Sequence, residues 1–249
     1  YQTLEDCRSV CDEITPKTDR CGAYVLHEGY AYSTVQIGDQ CWFAENCRYL
    51  PALGNGPIHS FSSYSETEPK YYVYDYEGGV VEKAKETKEY KTYGVLYNWT
   101  AVMTEGICPS GWHIPSDEEW KILERSLGMR ESEVLSELKP KGRIPGVSPP
   151  EPHRGEPLGH NLKSIAGWGN EPYSKGSGYI APNGFNALPS GYYHTGNWGA
   201  TYKSFWWTAS KYGSESCFAW CRQLRSDQGR VYRYEQMRSY GLSARCVRD

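Results

Sequence analysis

The chain has 249 residues, with 27 basic and 30 acidic side chains and a formal net charge of −3. This length can bury a large core, and the balanced charge argues against a nucleic-acid-binding protein, which needs a basic surface. The 22 tyrosines and 9 tryptophans argue against disorder. No run of 18 apolar residues predicts a membrane span.

The first 27 residues carry Cys7, Cys11 and Cys21 but little apolar periodicity. We interpret residues 1–27 as a cysteine-containing extension and residues 28–249 as the main domain. The polar start without methionine is typical of a mature end left by processing.

The nine cysteines follow no CxxC or zinc-binding spacing. Scattered cysteines of this kind indicate an oxidising compartment, so we expect a secreted or cell-surface protein. The odd number leaves one thiol free or pairs it between chains.

Two strands are predicted across the Gly38-Asp39 turn, and a third at residues 71–76. Residues 83–94 are typical of a short exposed helix. The main helix begins after Ser116, which forms a capping box with Glu119, and Gly128 ends it. A second short helix is expected at residues 131–138.

The Pro- and Gly-rich stretch at residues 139–160 predicts an exposed loop too polar for the core. Four strands are expected after it as an antiparallel meander, at residues 204–210, 217–224, 230–236 and 241–247. Strand alternation predicts that only one of the adjacent residues Trp206 and Trp207 faces inward.

Several segments carry a family resemblance, among them TVQIGDQCWFAEN (34–46), ICPSGWHIPSDEEW (107–120), GFNALPSGYY (184–193) and YGLSARCVRD (240–249). In order and spacing they resemble the Fibrobacter succinogenes major paralogous domain, a C-type-lectin-like module. The resemblance implies an α+β fold: one main helix and a short second helix packed on a twisted antiparallel sheet with long loops, stabilised by disulfides. Such folds host many functions, so the fold does not choose one.

The lectin-like resemblance also implies a disulfide between Cys108 and Cys246, which would tie the start of the main helix to the last strand. Cys41, Cys47, Cys217 and Cys221 depart from the usual family sequence. Cys217 and Cys221 lie about 13 Å apart if they share one strand, too far for a single disulfide or metal ion.

Cys7 and Cys11 have the same spacing as Cys217 and Cys221. An extended N-terminal segment beside that strand could therefore form two bridges to it. Cys41–Cys47 is a further candidate pair, which leaves Cys21 unpaired.

Lectin-like relatives often hold calcium on their loops, so the resemblance leaves a calcium ion open for this chain. The EPN or QPD triplet followed by WND, which marks calcium-dependent sugar binding, is missing. Relatives of the fold also include copper-dependent formylglycine-generating enzymes, and we keep a copper-dependent thiol oxidase as a distant alternative.

Aromatic side chains dominate two late segments, which we predict to form the ligand-binding surface. Tyrosine and tryptophan offer contact area at low entropic cost, and their faces stack on sugar rings. The candidate residues are Tyr192, Tyr193, Trp198, Tyr202, Tyr232, Tyr234, Arg238 and Tyr240. Strand alternation places half of such a set in the core.

With no nucleophile motif, phosphate loop or dinucleotide fingerprint, the sequence favours a non-enzymatic module that binds glycan or protein. The alternative is a self-associating structural subunit of a cell-surface filament or matrix. The odd cysteine and the tyrosine-rich surface favour that second hypothesis.

Overall fold

The computed structural model describes residues 20–51, 65–136, 154–165, 167–168, 183–199, 201–214 and 216–249. The strands in chain order are β1 Tyr24–His27, β2 Tyr30–Ile37, β3 Gln40–Phe43, β4 Tyr71–Tyr72, β5 Leu96–Tyr97, β6 Trp112–His113, β7 Tyr193–His194, β8 Asn197–Trp198, β9 Lys203–Lys211, β10 Phe218–Arg225, β11 Gln228–Met237 and β12 Val247–Arg248. The helices are α1 Val81–Glu86, α2 Lys88–Tyr93, α3 Trp99–Val102, α4 Asp117–Ser126, α5 Glu131–Val134 and α6 Leu158–Leu162.

The larger antiparallel sheet has five strands in the order β1-β2-β3-β12-β6. Its β2–β3 hairpin turns at Gly38 and Asp39, where Gly38 has a φ of 59° that favours glycine. The predicted hairpin is confirmed. The strand predicted at residues 71–76 is confirmed only over Tyr71–Tyr72. The chain then turns, since Asp75 has a φ of 57° and the Tyr76 N–H donates to the Val73 carbonyl.

The second sheet is the antiparallel β9–β10–β11 meander, which confirms three of the four predicted late strands. The fourth was predicted to continue this meander, and that prediction was wrong. Residues 241–243 form isolated bridges instead, and β12 crosses to the first sheet, where Val247 pairs with both β3 and β6.

Helix α4 begins as the sequence predicts. The Ser116 side chain accepts from the Glu119 main chain while the Glu119 carboxylate accepts from Ser116. Its Trp120 and Leu123 side chains are buried. The polar segment at residues 83–94 forms two helices, α1 and α2. The second helix predicted at residues 131–138 is confirmed only over α5, Glu131–Val134, and residues 137 and 138 lie outside the described part. No helix in the described parts of the chain is both long and apolar enough to cross a membrane.

Two hydrophobic clusters cover opposite faces of β9, so the expectation for its tryptophans was wrong. Trp206 and Trp207 are both buried, Trp206 in the cluster around Trp120 and Trp207 in the cluster around Phe43. Their indole N–H groups donate to Asn46 Oδ1 and to the Tyr97 carbonyl. The alternation of side chains along a strand distinguishes buried from exposed positions only when one face of the sheet is exposed to solvent.

The stretch predicted as an exposed loop at residues 139–160 also contributes to the interior, which corrects that prediction. Residues 137–153 lie outside the described part. Arg154 is fully buried, and α6 buries Gly159 and Leu162. The Arg154 guanidinium pairs with the equally buried Glu124 of α4, which compensates its charge.

Two disulfides are present among the described residues. Cys108 bonds to Cys246, which confirms the pairing that the family resemblance implied. Cys41 bonds to Cys21, so the candidate pair Cys41–Cys47 was wrong, and Cys47 is a buried free thiol. The Gly22 N–H donates to Thr34 Oγ1, and the Thr34 hydroxyl donates to the Ala23 carbonyl, so the segment before β1 lies against β2, next to the strand that carries Cys41.

The proposed double bridge from the N-terminal segment is not seen in the structure. Cys217 and Cys221 are free thiols, while Cys7 and Cys11 lie outside the described residues. Cys221 is completely buried in β10, and its sulfur contacts the Tyr234 carbonyl oxygen at 3.4 Å.

Candidate recognition surface

A short hairpin, β7–β8, organises the aromatic residues that the sequence singled out. Tyr193 pairs with Trp198 and His194 with Asn197. The two turn residues, Thr195 and Gly196, both have positive φ, as a type I′ turn requires. Because successive residues point to opposite faces, Tyr193 and His194 contact different groups of rings.

On one face of the hairpin, the Tyr193 and Trp198 rings lie 4.7 Å apart. Tyr72 stacks on Tyr193 at 4.2 Å, and Tyr74 packs on Trp198 at 5.2 Å. Tyr72 and Tyr193 are buried, whereas Tyr74 and Trp198 are partly buried. The inner pair therefore supports the outer pair.

On the other face, the His194 imidazole stacks on the Tyr240 ring, with 3.8 Å between centroids. Tyr192 lies 5.9 Å from Tyr240 and packs edge-on against the buried Phe205 at 5.3 Å. The two faces together form what we term the hairpin aromatic cluster: Tyr72, Tyr74, Tyr192, Tyr193, His194, Trp198 and Tyr240.

Glycines let these rings lie directly on the backbone. A Cβ atom at Gly199 would come within 2.0 Å of the Tyr192 ring, and one at Gly241 within 2.7 Å of the Tyr72 ring. The Tyr74 hydroxyl also donates to the Gly199 carbonyl at 3.0 Å. Rings held in this way lose little further freedom when a ligand binds, which is the advantage of a preorganised surface.

Burial favours the uncharged forms of four titrating side chains in the hairpin aromatic cluster. Burial raises the pKa of Tyr72, Tyr74 and Tyr193 above the ordinary phenol value, so their hydroxyls stay protonated. Burial lowers the pKa of His194, which favours its neutral imidazole. Such a surface offers stacking and hydrogen bonding.

Four of the eight predicted ligand-binding residues come together in this cluster, namely Tyr192, Tyr193, Trp198 and Tyr240. Tyr193 is only 4% exposed, so it supports other rings and does not present its own face. The sequence prediction missed Tyr72, Tyr74 and His194. The sequence feature that could have identified His194 is its position between Tyr193 and the Thr195-Gly196 turn.

The other four predicted residues are not part of this cluster, although the Tyr234 hydroxyl lies close enough to interact with those of Tyr192 and Tyr240. Tyr202 is exposed beside Lys203, and Tyr232 is buried beneath Arg225. The Tyr234 ring packs edge-on against Phe205, and burial raises the pKa of its hydroxyl far above the ordinary value. The Arg238 guanidinium lies 4.6 Å above the Trp99 ring.

A metal site among the described residues would need three or more histidine, cysteine and carboxylate side chains close together. One such set brings its ligand atoms within 4.8 Å of one another, and it consists of Cys47, Cys108 and Cys246. Two of these sulfurs are joined in a disulfide. Calcium therefore stays a prediction.

Comparison with known proteins places the chain in a family. No curated protein and no solved structure matches it. The model of the family described as the Fibrobacter succinogenes major domain matches residues 35–248, from β2 to the end of β12. This match covers β3 to β12, helix α4 and the hairpin aromatic cluster, while β1 lies before it, and the chain belongs to the Fibrobacter succinogenes major domain family.

Proposed function

We propose that this chain is a non-catalytic recognition module, secreted or displayed at the cell surface, that binds a glycan through the hairpin aromatic cluster. The observation that carries the proposal is the cluster itself: rings held against glycine backbone, in which the buried Tyr72 and Tyr193 support the partly exposed Tyr74 and Trp198. A protein ligand for the same surface is the other outcome that the experiment below distinguishes.

The composition of the surface favours a sugar. Trp198, Tyr74 and Tyr240 supply the ring faces on which the apolar side of a pyranose stacks. Exposed polar side chains border them, including Asp75, Thr195 and Asn197. A stacking centre with a polar rim suits a ligand whose edge carries hydroxyl groups.

Two disulfides support the proposed location outside the cytosol, because such bonds persist in oxidising compartments. The Cys108–Cys246 bond links the segment before α4 to the last strand, as the lectin-like resemblance implies. We propose on this basis that the antiparallel sheets and α4 form a C-type-lectin-like fold.

The test is a glycan array followed by calorimetry on the strongest ligand, with and without calcium. Trp198→Ala should weaken binding roughly tenfold, since a stacked aromatic ring contributes about 1 kcal/mol beyond its buried area. Tyr202→Ala removes an exposed ring outside the cluster and should change the affinity less than about twofold.

Thermal unfolding of both variants checks that they remain folded. An equal loss of affinity in the two variants would refute the placement of the site. Silence of the intact protein across broad glycan panels, together with capture of a protein partner that Trp198→Ala abolishes, would replace the glycan with a protein ligand.

One observation favours the structural-subunit hypothesis as a second candidate. β1 is the edge of the five-stranded sheet, and its Tyr24 and Leu26 side chains are 64% and 74% exposed. An apolar edge strand is a template for pairing with another chain. Analytical ultracentrifugation of the protein and of Leu26→Lys tests this, and a wild-type protein that stays monomeric at high concentration contradicts it.

A further inference from the structure

Three sulfur atoms meet in the interior beneath the first sheet. Cys47 follows β3, and its main-chain N–H donates to the Ala244 carbonyl at 2.9 Å, which fixes it beside the last strand. Its free thiol lies 3.5 Å from Cys246 Sγ, within van der Waals contact of the Cys108–Cys246 disulfide. All three sulfurs lie within 4.8 Å of one another.

This contact places a nucleophile beside a bond that it can cleave. Thiol–disulfide exchange needs a thiolate in contact with a disulfide sulfur and access for the attack. Access from solvent is not required here, since the thiol and its target are both inside the fold.

We propose that Cys47, Cys108 and Cys246 form an internal disulfide-exchange site, in which the Cys47 sulfur displaces Cys108 from Cys246. The Cys47–Cys246 bond forms, and the Cys108–Cys246 bond breaks. Cys47 loses its thiol proton, and the departing Cys108 sulfur gains one. One disulfide and one thiol are present before and after, so no external oxidant or reductant is consumed.

The exchange would move a reactive thiol from the interior to the surface. Cys47 and Cys246 are both fully buried, whereas Cys108 is partly exposed. The thiol that the reaction releases is therefore the one that solvent reaches. Cys108 becomes a site for modification by electrophiles or for mixed disulfides with small thiols.

A buried charge assists the attacking sulfur. Arg245 is 1% exposed, and its hydrogen bonds go to neutral oxygens, namely Asn46 Oδ1 and the carbonyls of Phe43, Phe185 and Asn186. Its positive charge lowers the pKa of the Cys47 thiol, but burial lowers the pKa of Arg245 itself to about 9, and the Glu45 carboxylate also attracts the guanidinium. The assistance is therefore present below about pH 9.

The same burial makes the reaction slow. Burial raises the pKa of Cys47 to about 12 although Arg245 lowers it, and the phenols of Tyr32 and Tyr97 also face the thiol. The three sulfurs form a triangle, so the side chains must rotate before an in-line attack. We expect exchange over minutes to hours, with a rate that rises about tenfold per pH unit between pH 7 and 9, above which Arg245 loses its charge.

The experiment traps the released thiol in the native protein. The folded protein is incubated with N-ethylmaleimide, quenched in acid to stop further exchange, digested with pepsin and mapped by mass spectrometry. Cys217, a partly exposed free thiol, serves as the internal reference for rapid alkylation. We expect Cys108 to become alkylated with time, with an equal amount of a Cys47–Cys246 linked peptide.

Two alanine variants form a matched pair, because each removes one fully buried free thiol. Cys47→Ala should slow Cys108 alkylation at least tenfold, whereas Cys221→Ala should leave it within about twofold of the wild-type rate. If Cys47→Ala does not fold, the linked peptide in the wild-type protein decides alone.

The proposal is overturned if Cys217 is fully alkylated while no Cys47–Cys246 peptide accumulates over a day at pH 9. It is also overturned if Cys108 reacts equally fast in Cys47→Ala. These outcomes are independent of glycan binding, so failure of the proposed function leaves them unaffected.

Discussion

The buried ionic network around Glu124 permits a sharp prediction about stability. Glu124 lies on α4 and is fully buried. Its carboxylate accepts from Arg154 Nη1 at 3.0 Å, from Arg154 Nη2, and from Arg222 Nε at 2.6 Å. The neighbouring Asp117 carboxylate accepts from Arg222 and Arg233, so two carboxylates face three guanidinium groups.

Glu124→Gln retains the shape of the side chain and removes one of the two negative charges. Three buried guanidinium groups would then face a single carboxylate, and the desolvation already undergone by Arg154 and Arg222 would lose its compensation. Breaking a buried ion pair from one side costs about 3–5 kcal/mol. We expect the free energy of unfolding to fall by that amount.

The matched control lies on the same helix. Glu118 pairs with Arg125, but its side chain is 59% exposed. Glu118→Gln should cost less than about 1 kcal/mol, because solvent screens exposed ion pairs. Urea unfolding of both variants with the disulfides intact measures the difference, and similar slopes confirm that the unfolded state is unchanged. A difference below about 1 kcal/mol between the two variants would refute the reasoning.

Two further outcomes follow from His113 and from the glycine-backed rings. Burial alone would lower the pKa of His113, but hydrogen bonds to Asp249 and Glu119 outweigh it and raise the pKa. The contribution of protonated His113 to the free energy of unfolding is therefore complete below the ordinary histidine pKa of about 6.5. It is lost as pH rises through the raised pKa of His113 in the folded protein. Amide exchange at the start of α4 should follow this pH dependence, and His113→Gln should abolish it. Gly199→Ala would place a Cβ atom 2.0 Å from the Tyr192 ring, so it should displace that ring and weaken ligand binding at least threefold; unchanged near-ultraviolet circular dichroism and affinity would contradict this.

Local signals predicted the parts of the fold that depend on neighbouring residues. The capping box of Ser116 and Glu119 and the turn at Gly38-Asp39 involve residues only a few positions apart, and both appear where the sequence placed them. The three strands of the late meander follow equally from alternation and turn residues.

The errors arise where distant segments meet. Trp206 and Trp207 are both buried because β9 has a core on each side, which alternation within one strand does not reveal. Arg154 enters the interior because Glu124, 30 residues away, neutralises it. The contact between Cys47 and Cys246 joins residues 199 positions apart, so no local spacing could indicate it.

Only part of the candidate site was predicted, because there too distant segments of the chain meet. Tyr192, Trp198 and Tyr240 belong to aromatic segments that the sequence marks as unusual. Tyr72 and Tyr74 reach the cluster from β4 and the residues after it, more than 100 positions away along the chain. The packing of these distant segments against each other decides which rings are buried as supports and which are exposed to a ligand.

The Cys108–Cys246 bond also sets how the module responds to tension. The two cysteines are 138 positions apart, so the chain between them carries no load when force acts through segments outside the bond. Fully extended, that stretch would measure roughly 450–500 Å. If the chain were pulled through segments outside this bond, the part between the two cysteines, which includes α4, β7, β8 and the β9–β10–β11 meander, would be shielded from stretching, whereas β1 to β5 would not.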